Sequence, residues 1–141
     1  MIAVDTGYFY ALSDQSDAWH TRALAWSRVV ETEDMVTTWP VLTEACHLMS
    51  ARLGAPFGIE LMADVVSGCL RVWSPSTEAL GQIPTLMRKY ASLPMDLADA
   101  SLVLLAEHLE HGRILTTDVR DFGTYRWKSR KPFNNLLATT P

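Results

Sequence analysis

The chain has 141 residues, 48% of them hydrophobic and 20% charged, with a net charge of −4. That composition belongs to one soluble globular domain large enough to bury its own core, and it excludes a disordered or disulfide-stapled chain. The four residues before Asp5 carry no basic lead, and no run approaches the ~20 apolar residues of a membrane span, so a cytoplasmic protein without membrane contact is expected.

Residues 1–5 read as a short buried strand ending in Asp5, and Thr6-Gly7 then breaks it, with Gly7 suiting a close or left-handed turn. Over 16–31, Trp19, Ala23, Trp26 and Val30 recur every three or four residues, which predicts an amphipathic helix. Core packing accounts for both tryptophans, although the same face suits a protein partner. Met35–Thr38 reads as a second strand. Pro40 suits the first turn of a helix running to about Leu53 and stopped by Gly54. Pro56 starts another helix that ends near Ser67-Gly68, and residues 69–73 form a third strand closed by Ser74-Pro75. A helix over 76–91 is weakened by Gly81 and Pro84. After Pro94, residues 96–110 make the strongest helix of the chain, with Gly112 just past its end. Residues 113–117 are a fourth strand, 118–125 a short helix or turn, 126–133 a basic loop, and 135–139 a candidate last strand. Cys46 and Cys69 have no metal spacing and read as buried free thiols.

Strands alternating with helices predict an α/β sandwich around a mainly parallel sheet of four to five strands, a single domain over 1–141. Such sheets bind ligands beyond the carboxyl ends of their strands. Asp5 and Asp118 both end predicted strands, while Glu44 and Asp99 fall near the starts of helical stretches. Like charges gathered at one edge repel by roughly 3–4 kcal/mol per close pair at ~4–5 Å and an effective dielectric of ~20. A hard divalent cation offsets that repulsion, and oxygen-only ligands suit Mg²⁺ or Mn²⁺. His20, His47, His108 and His111 are scattered and form no competing metal motif.

Each acid also has a plain structural account. Asp5 suits a turn cap, Glu44 favours the helix macrodipole, and Asp118 suits the cap of the helix after it. For Asp96, capping outweighs catalysis, and for Asp121 a solvated helix position is favoured. Asp99 interrupts an apolar helix face three residues after Asp96, so there function leads. Residues 113–141 hold six Lys/Arg against two acids, whereas 1–112 hold six against fourteen. A basic segment beside a carboxylate cluster suits a nucleic-acid backbone, which makes Arg120, Arg126, Lys128, Arg130 and Lys131 candidate nucleic-acid contacts. Trp127, among these cations, reads as packing under the loop ahead of stacking on a base.

The segments MIAVDTG (1–7), Thr43-Glu44 in the helix after the second strand, PMDLADASLVLLAEHL (94–109) and RILTTDVRDFGTYR (113–126) resemble, in order and spacing, the four acidic motifs of PIN-domain nucleases. The resemblance spans most of the chain and is nearest to VapC-like toxins of bacterial type II toxin–antitoxin systems. It implies a PIN-like three-layer α/β/α sandwich and Mg²⁺- or Mn²⁺-dependent endoribonuclease activity. It also implies inhibition by a small antitoxin and a homodimeric toxin. Carried over by position, Asp5, Glu44, Asp99 and Asp118 are the metal-binding and catalytic set, with Asp96 an additional acid on the same face. Thr6, Thr117 and Asp121 would support them from outside the metal shell.

Rival readings are a PIN nuclease of RNA processing without an antitoxin, and a non-catalytic binding module of the same fold. A haloacid-dehalogenase-like phosphatase requires a second acid where Gly7 stands. A receiver-type signalling domain requires an aspartate after the third strand, where Trp73-Ser74-Pro75 is found.

Overall fold

A computed structural model describes all residues 1–141. Strand β1 (Ile2–Val4) runs through the centre and leads without a loop into helix α1 (Thr6–Ser13). Helix α2 (His20–Val29), strand β2 (Met35–Thr38) and helices α3 (Trp39–Leu53) and α4 (Ala55–Ser67) follow. Next come strand β3 (Leu70–Trp73), the short helices α5 (Thr77–Leu80) and α6 (Ile83–Lys89), and helix α7 (Leu97–Leu109). Strand β4 (Arg113–Leu115), helix α8 (Val119–Thr124), the two-residue strands β5 (Arg126–Trp127), β6 (Lys131–Pro132) and β7 (Asn134–Asn135), and a 3-10 turn (Leu136–Ala138) complete the chain.

Five strands form one sheet in the order β3-β2-β1-β4-β7, every neighbouring pair parallel. β1 is buried throughout because helices cover both of its faces, which is why it reads as an unbroken apolar run. Helix α7 is buried along most of its length, with Ala100, Leu102, Val103 and Leu105 fully enclosed. The Thr38 and Ser101 hydroxyls share a hydrogen bond of 2.6 Å, which pins the end of β2 to α7. Thr37 donates to the Val4 carbonyl at 2.8 Å. These buried polar bonds hold the carboxyl edge of the sheet in register with the helices that rise from it. The α/β/α sandwich with a mainly parallel sheet is as expected.

Several local expectations are corrected. Thr6-Gly7 does not break the chain; both residues open α1, and Gly7 has no positive φ. A Cβ at Gly7 would collide with the Thr117 side chain, so glycine serves a close approach between α1 and the segment after β4. The helix expected over 16–31 starts at His20, because Asp14 and Asp17 accept the backbone N–H groups of Ser16 and Trp19 and hold 14–19 in turns. The stretch 76–91, by contrast, divides where Gly81 and Pro84 weaken it, into α5 and α6 around Gly81-Gln82. The basic loop contains the antiparallel pair β5-β6, and the last strand is shorter than 135–139, giving way to the 3-10 turn at Leu136. Cys69 is exposed rather than buried, since it lies in the turn before β3; Cys46 is half-buried.

Candidate active site

The sheet grows from β1 through β2 to β3 on one side, and the chain then returns to add β4 on the other. The order therefore reverses between β1 and β4, the place where parallel sheets bind ligands. Asp5 leaves β1 there. Val4 pairs with Leu115, which sets Thr116 beside Asp5, and the Thr116 hydroxyl donates to Asp5 Oδ2 at 2.6 Å. Asp5 Oδ1 accepts the Thr6 N–H at 2.8 Å and caps α1. Thr116 Oγ1 also accepts the Asp118 N–H at 3.0 Å. One hydroxyl thus joins the two strand-end acids.

Helix starts fix Asp118, Asp96 and Asp99. Asp118 caps α8 by accepting the Asp121 N–H at 3.0 Å. Asp96 caps α7 by accepting the Asp99 N–H at 2.8 Å, and Asp99 Oδ2 answers the Asp96 N–H at 3.4 Å. The same Asp99 oxygen accepts the Tyr125 hydroxyl at 2.9 Å. Glu44 extends from α3, exposed. Together these side chains line a cleft of about 360 Å³ with Thr6, Gly7 and Thr117. Six of its twelve lining residues are acids (Asp5, Glu44, Asp96, Asp99, Asp118 and Asp121) and none is Lys, Arg or His. Capping and cleft-lining therefore coexist: Asp5, Asp96 and Asp118 each cap a helix whose positive end softens the crowding of charge.

The crowding is visible in the acidities. Burial pushes Asp5 up to about 6, against the hydrogen bonds from Thr116 and Thr6 and with the negative charges of Asp118 and Asp96. Asp99 is pushed up to about 7, by burial first and by the charge of Asp96 second, with the Tyr125 hydroxyl opposing. Glu44, exposed as a residue, has its carboxyl raised by partial desolvation against the cleft and by the charges of Asp96 and Asp5, and Asp118 is raised chiefly by burial. Groups so perturbed and gathered in a cleft mark a functional site more often than a structural one.

No three His, Cys, Asp or Glu side chains stand close enough, as they are oriented, to hold a metal ion. The donor set nonetheless suits a hard divalent cation. It offers carboxylate and hydroxyl oxygens without a competing cation, and each carboxylate oxygen that accepts one hydrogen bond keeps a second lone pair. Of the supporting residues, Thr117 lines the cleft, and Thr6 lines it while turning its hydroxyl to the Val41 carbonyl at 3.4 Å. Asp121 is buried and accepts from Arg120 Nε at 2.9 Å, so it is not the solvated residue the sequence favours.

The basic segment does not flank this cleft as a unit. Arg120 stands at its rim on Asp121, and its side chain is 75% exposed. Arg126 turns its guanidinium onto the carbonyls of Gly123, Thr124 and Tyr125, closing the end of α8. Lys128 pairs with Glu110 at 3.1 Å and its N–H donates to Glu107 at 2.9 Å, at the far end of α7. That helix is about 20 Å long at 1.5 Å per residue. Arg130 and Lys131 belong to the same hairpin, where Lys131 Nζ lies 4.7 Å from the Trp127 ring centre. Trp127 itself is buried and donates to the Pro132 carbonyl at 3.0 Å, the packing role expected. Trp26 is likewise structural, donating to the Thr139 carbonyl at 2.8 Å.

Sequence reasoning passed over Thr116 and Tyr125, the side chains that fix Asp5 and Asp99. The first would follow from the β1-β4 register, which no local pattern reveals, and nothing local links residue 125 to residue 99.

No family model matches the sequence, and no curated protein matches it. The structure is similar to that of VapC20 of Mycobacterium tuberculosis, described as a sarcin-ricin loop cleaving toxin. The TM-score is 0.74, over 85% of this chain and 92% of that one. The fold is PIN-like. At 20% sequence identity, the likeness carries the architecture, and the chemistry of this PIN-like chain rests on its own residues.

Proposed function

We propose that the chain is a Mg²⁺- or Mn²⁺-dependent endoribonuclease acting as the toxin of a toxin–antitoxin pair in the cytoplasm. One observation carries the reading: six acids share a cleft at the reversal of the sheet with no cation among its lining residues. Asp5, Glu44, Asp99 and Asp118 are the residues that would hold the ion, with Asp96 beside them. A bound Mg²⁺ or Mn²⁺ would activate water for in-line attack on phosphorus and stabilise the departing oxygen. The chain's own part is preorganisation. Thr116 holds Asp5 and Tyr125 holds Asp99, so two carboxylates keep their direction as charge builds up. Arg120, mostly exposed and anchored on Asp121, is the cation best placed to meet a non-bridging phosphate oxygen.

The likeness to a toxin supports an inhibitory protein partner. So does helix α4, which leaves Ile59 (68% exposed), Met62 and Val66 (85% exposed) on its outer side. A small antitoxin covering that stripe, and a toxin homodimer, complete the proposal. The test is cleavage of RNA by the purified protein with Mg²⁺ or Mn²⁺. Cleavage is expected to vanish in excess EDTA and in Asp5→Asn or Asp99→Asn, with the thermal unfolding transition retained. Cleavage that survives in both variants, or in EDTA, overturns the assignment.

A further inference from the structure

Beside the acidic cleft lies a larger hollow, of about 640 Å³ against about 360 Å³. Trp39, Pro40 and His47 of α3 and Leu97 of α7 form its walls, and Glu44 and Asp96 belong to both hollows. The two spaces are therefore adjacent and share a wall made of a pair of acids. Trp39 is 51% exposed and Leu97 49% exposed, although each opens a helix that carries a cleft acid a few residues on. The Thr43 hydroxyl donates to the Trp39 backbone carbonyl at 2.9 Å, within the first turns of α3, and leaves the indole itself without a hydrogen-bond partner.

Large apolar side chains left in water around a hollow mark a place where something binds. Charge decides what. No Lys or Arg lines the hollow, and its only carboxylates stand on the border with the cleft, so it has nothing to offer a phosphate. A neutral, flat, partly apolar group is the chemistry that fits, with the His47 ring able to exchange hydrogen bonds with a polar edge. If the cleft holds a phosphodiester, each adjoining ribose carries a nucleobase that can reach a neighbouring hollow. Bases of any identity present a π-face to an exposed aromatic ring.

We propose that this hollow is a nucleobase subsite, in which one unpaired base flanking the cleaved bond stacks on Trp39 against Leu97. The inference rests on the ribonuclease reading of the cleft and adds to it a binding place for one base. The RNA is single-stranded or looped out at the cut, because a base kept in an A-form duplex does not expose its face.

The experiment compares wild type, Trp39→Ala and Trp39→Phe on a single-stranded RNA oligonucleotide containing the bond mapped with the wild type. A second pair of oligonucleotides carries an abasic nucleotide on one side or the other of that bond. Trp39→Ala is expected to raise KM by roughly 5- to 100-fold, the range of base–aromatic stacking. kcat stays near wild type, as for binding made equally in ground and transition states. Trp39→Phe recovers most of the loss. Removing one of the two bases costs the wild type a similar factor and costs Trp39→Ala nothing more.

An unchanged KM in Trp39→Ala overturns the subsite, as does an abasic penalty that adds in full to that of the variant. A variant with wild-type KM that loses only its affinity for a protein inhibitor makes the hollow a protein-docking surface, and the proposal falls. RNA left intact by the wild type with both metals overturns the ribonuclease reading itself, and the subsite with it.

Discussion

The two ends of helix α7 treat acidic side chains in opposite ways. At the far end, Glu107 and Glu110 are met by the backbone N–H and the ammonium of Lys128, and the cations of that hairpin also lie over Trp127. At the near end, Asp96 and Asp99 join four other acids in a cleft that no cation lines. Exposed pairs such as Lys128–Glu110 contribute about 0–1 kcal/mol, so the hairpin is a surface in ordinary balance. The cleft keeps a charge surplus that costs the fold something, partly softened by three helix amino-termini. The contrast separates acids answered by a neighbouring cation from acids gathered without one.

If the near end is preorganised for catalysis, its buried hydroxyls matter more than their small size suggests. Thr116→Val keeps the shape of a fully buried side chain and removes both the 2.6 Å bond to Asp5 and the acceptor of the Asp118 N–H. Tyr125→Phe removes a single bond, the one to Asp99. Each is expected to lower RNA cleavage by ~10–100-fold, as loss of a partner to a metal ligand does, and Thr116→Ser is expected to recover most of it. Cleavage rates at saturating and limiting Mg²⁺ check this. Wild-type rates in both variants would mean that Asp5 and Asp99 need no outside support.

Much of this arrangement was legible in the chain. The apolar run of β1 ending in Asp5 and the capped helix from Asp96 follow from burial and capping rules that act locally, whereas the helix stop falls on left-handed Glu110 and Gly112 instead serves a close approach to Trp127 and the Pro132 carbonyl. The alternation of strands and helices placed Asp5 and Asp118 at one edge before any register was known. Helix α1 was not legible, because Thr6-Gly7 has the local character of a turn, and only the packing of Gly7 on Thr117 explains a glycine inside a helix. The basic segment misled for a related reason. Closeness in sequence to Asp118 suggested closeness in space, yet the short β5-β6 hairpin carries Lys128 and Lys131 back along α7 to its opposite end. The exposed Trp39 gave no sequence signal, since an aromatic residue next to a strand reads as core.

The surplus of charge also makes the cleft sensitive to pH when no metal is bound. Asp5 is held at about 6 and Asp99 at about 7 in the fold, against an ordinary 3.8. The folded chain therefore binds more protons than the unfolded one between pH ~4 and ~7, so the stability these groups contribute is lost as pH rises through that window. His111, whose pKa burial lowers, acts in the opposite direction. A comparison with Asp99→Asn cancels it. Metal-free wild type is expected to lose several degrees of Tm relative to Asp99→Asn between pH 5 and pH 8, and saturating Mg²⁺ is expected to return them at pH 8 but not at pH 5. Parallel Tm curves for the two proteins, without metal, would show that Asp99 carries no ionisation penalty.

The smallest effect is expected at the far end of α7. If Lys128, Arg130 and Lys131 bound the RNA backbone beside the cut, their joint replacement by alanine would weaken RNA binding strongly and lower its dependence on salt, by nearly one unit of slope per lost phosphate contact. The structure argues otherwise. Lys128 is paired with Glu110, Lys131 lies on Trp127, and the hairpin is separated from Asp99 by most of a helix about 20 Å long. The triple variant is therefore expected to change KM by less than ~3-fold and to leave the salt slope unaltered within about one contact. Arg120→Ala, at the rim of the cleft, is expected to exceed it on both measures. A steep loss in the hairpin variant would mean that the RNA wraps the length of α7. In that case the two ends of the helix, so unlike in their charge, would belong to a single binding surface.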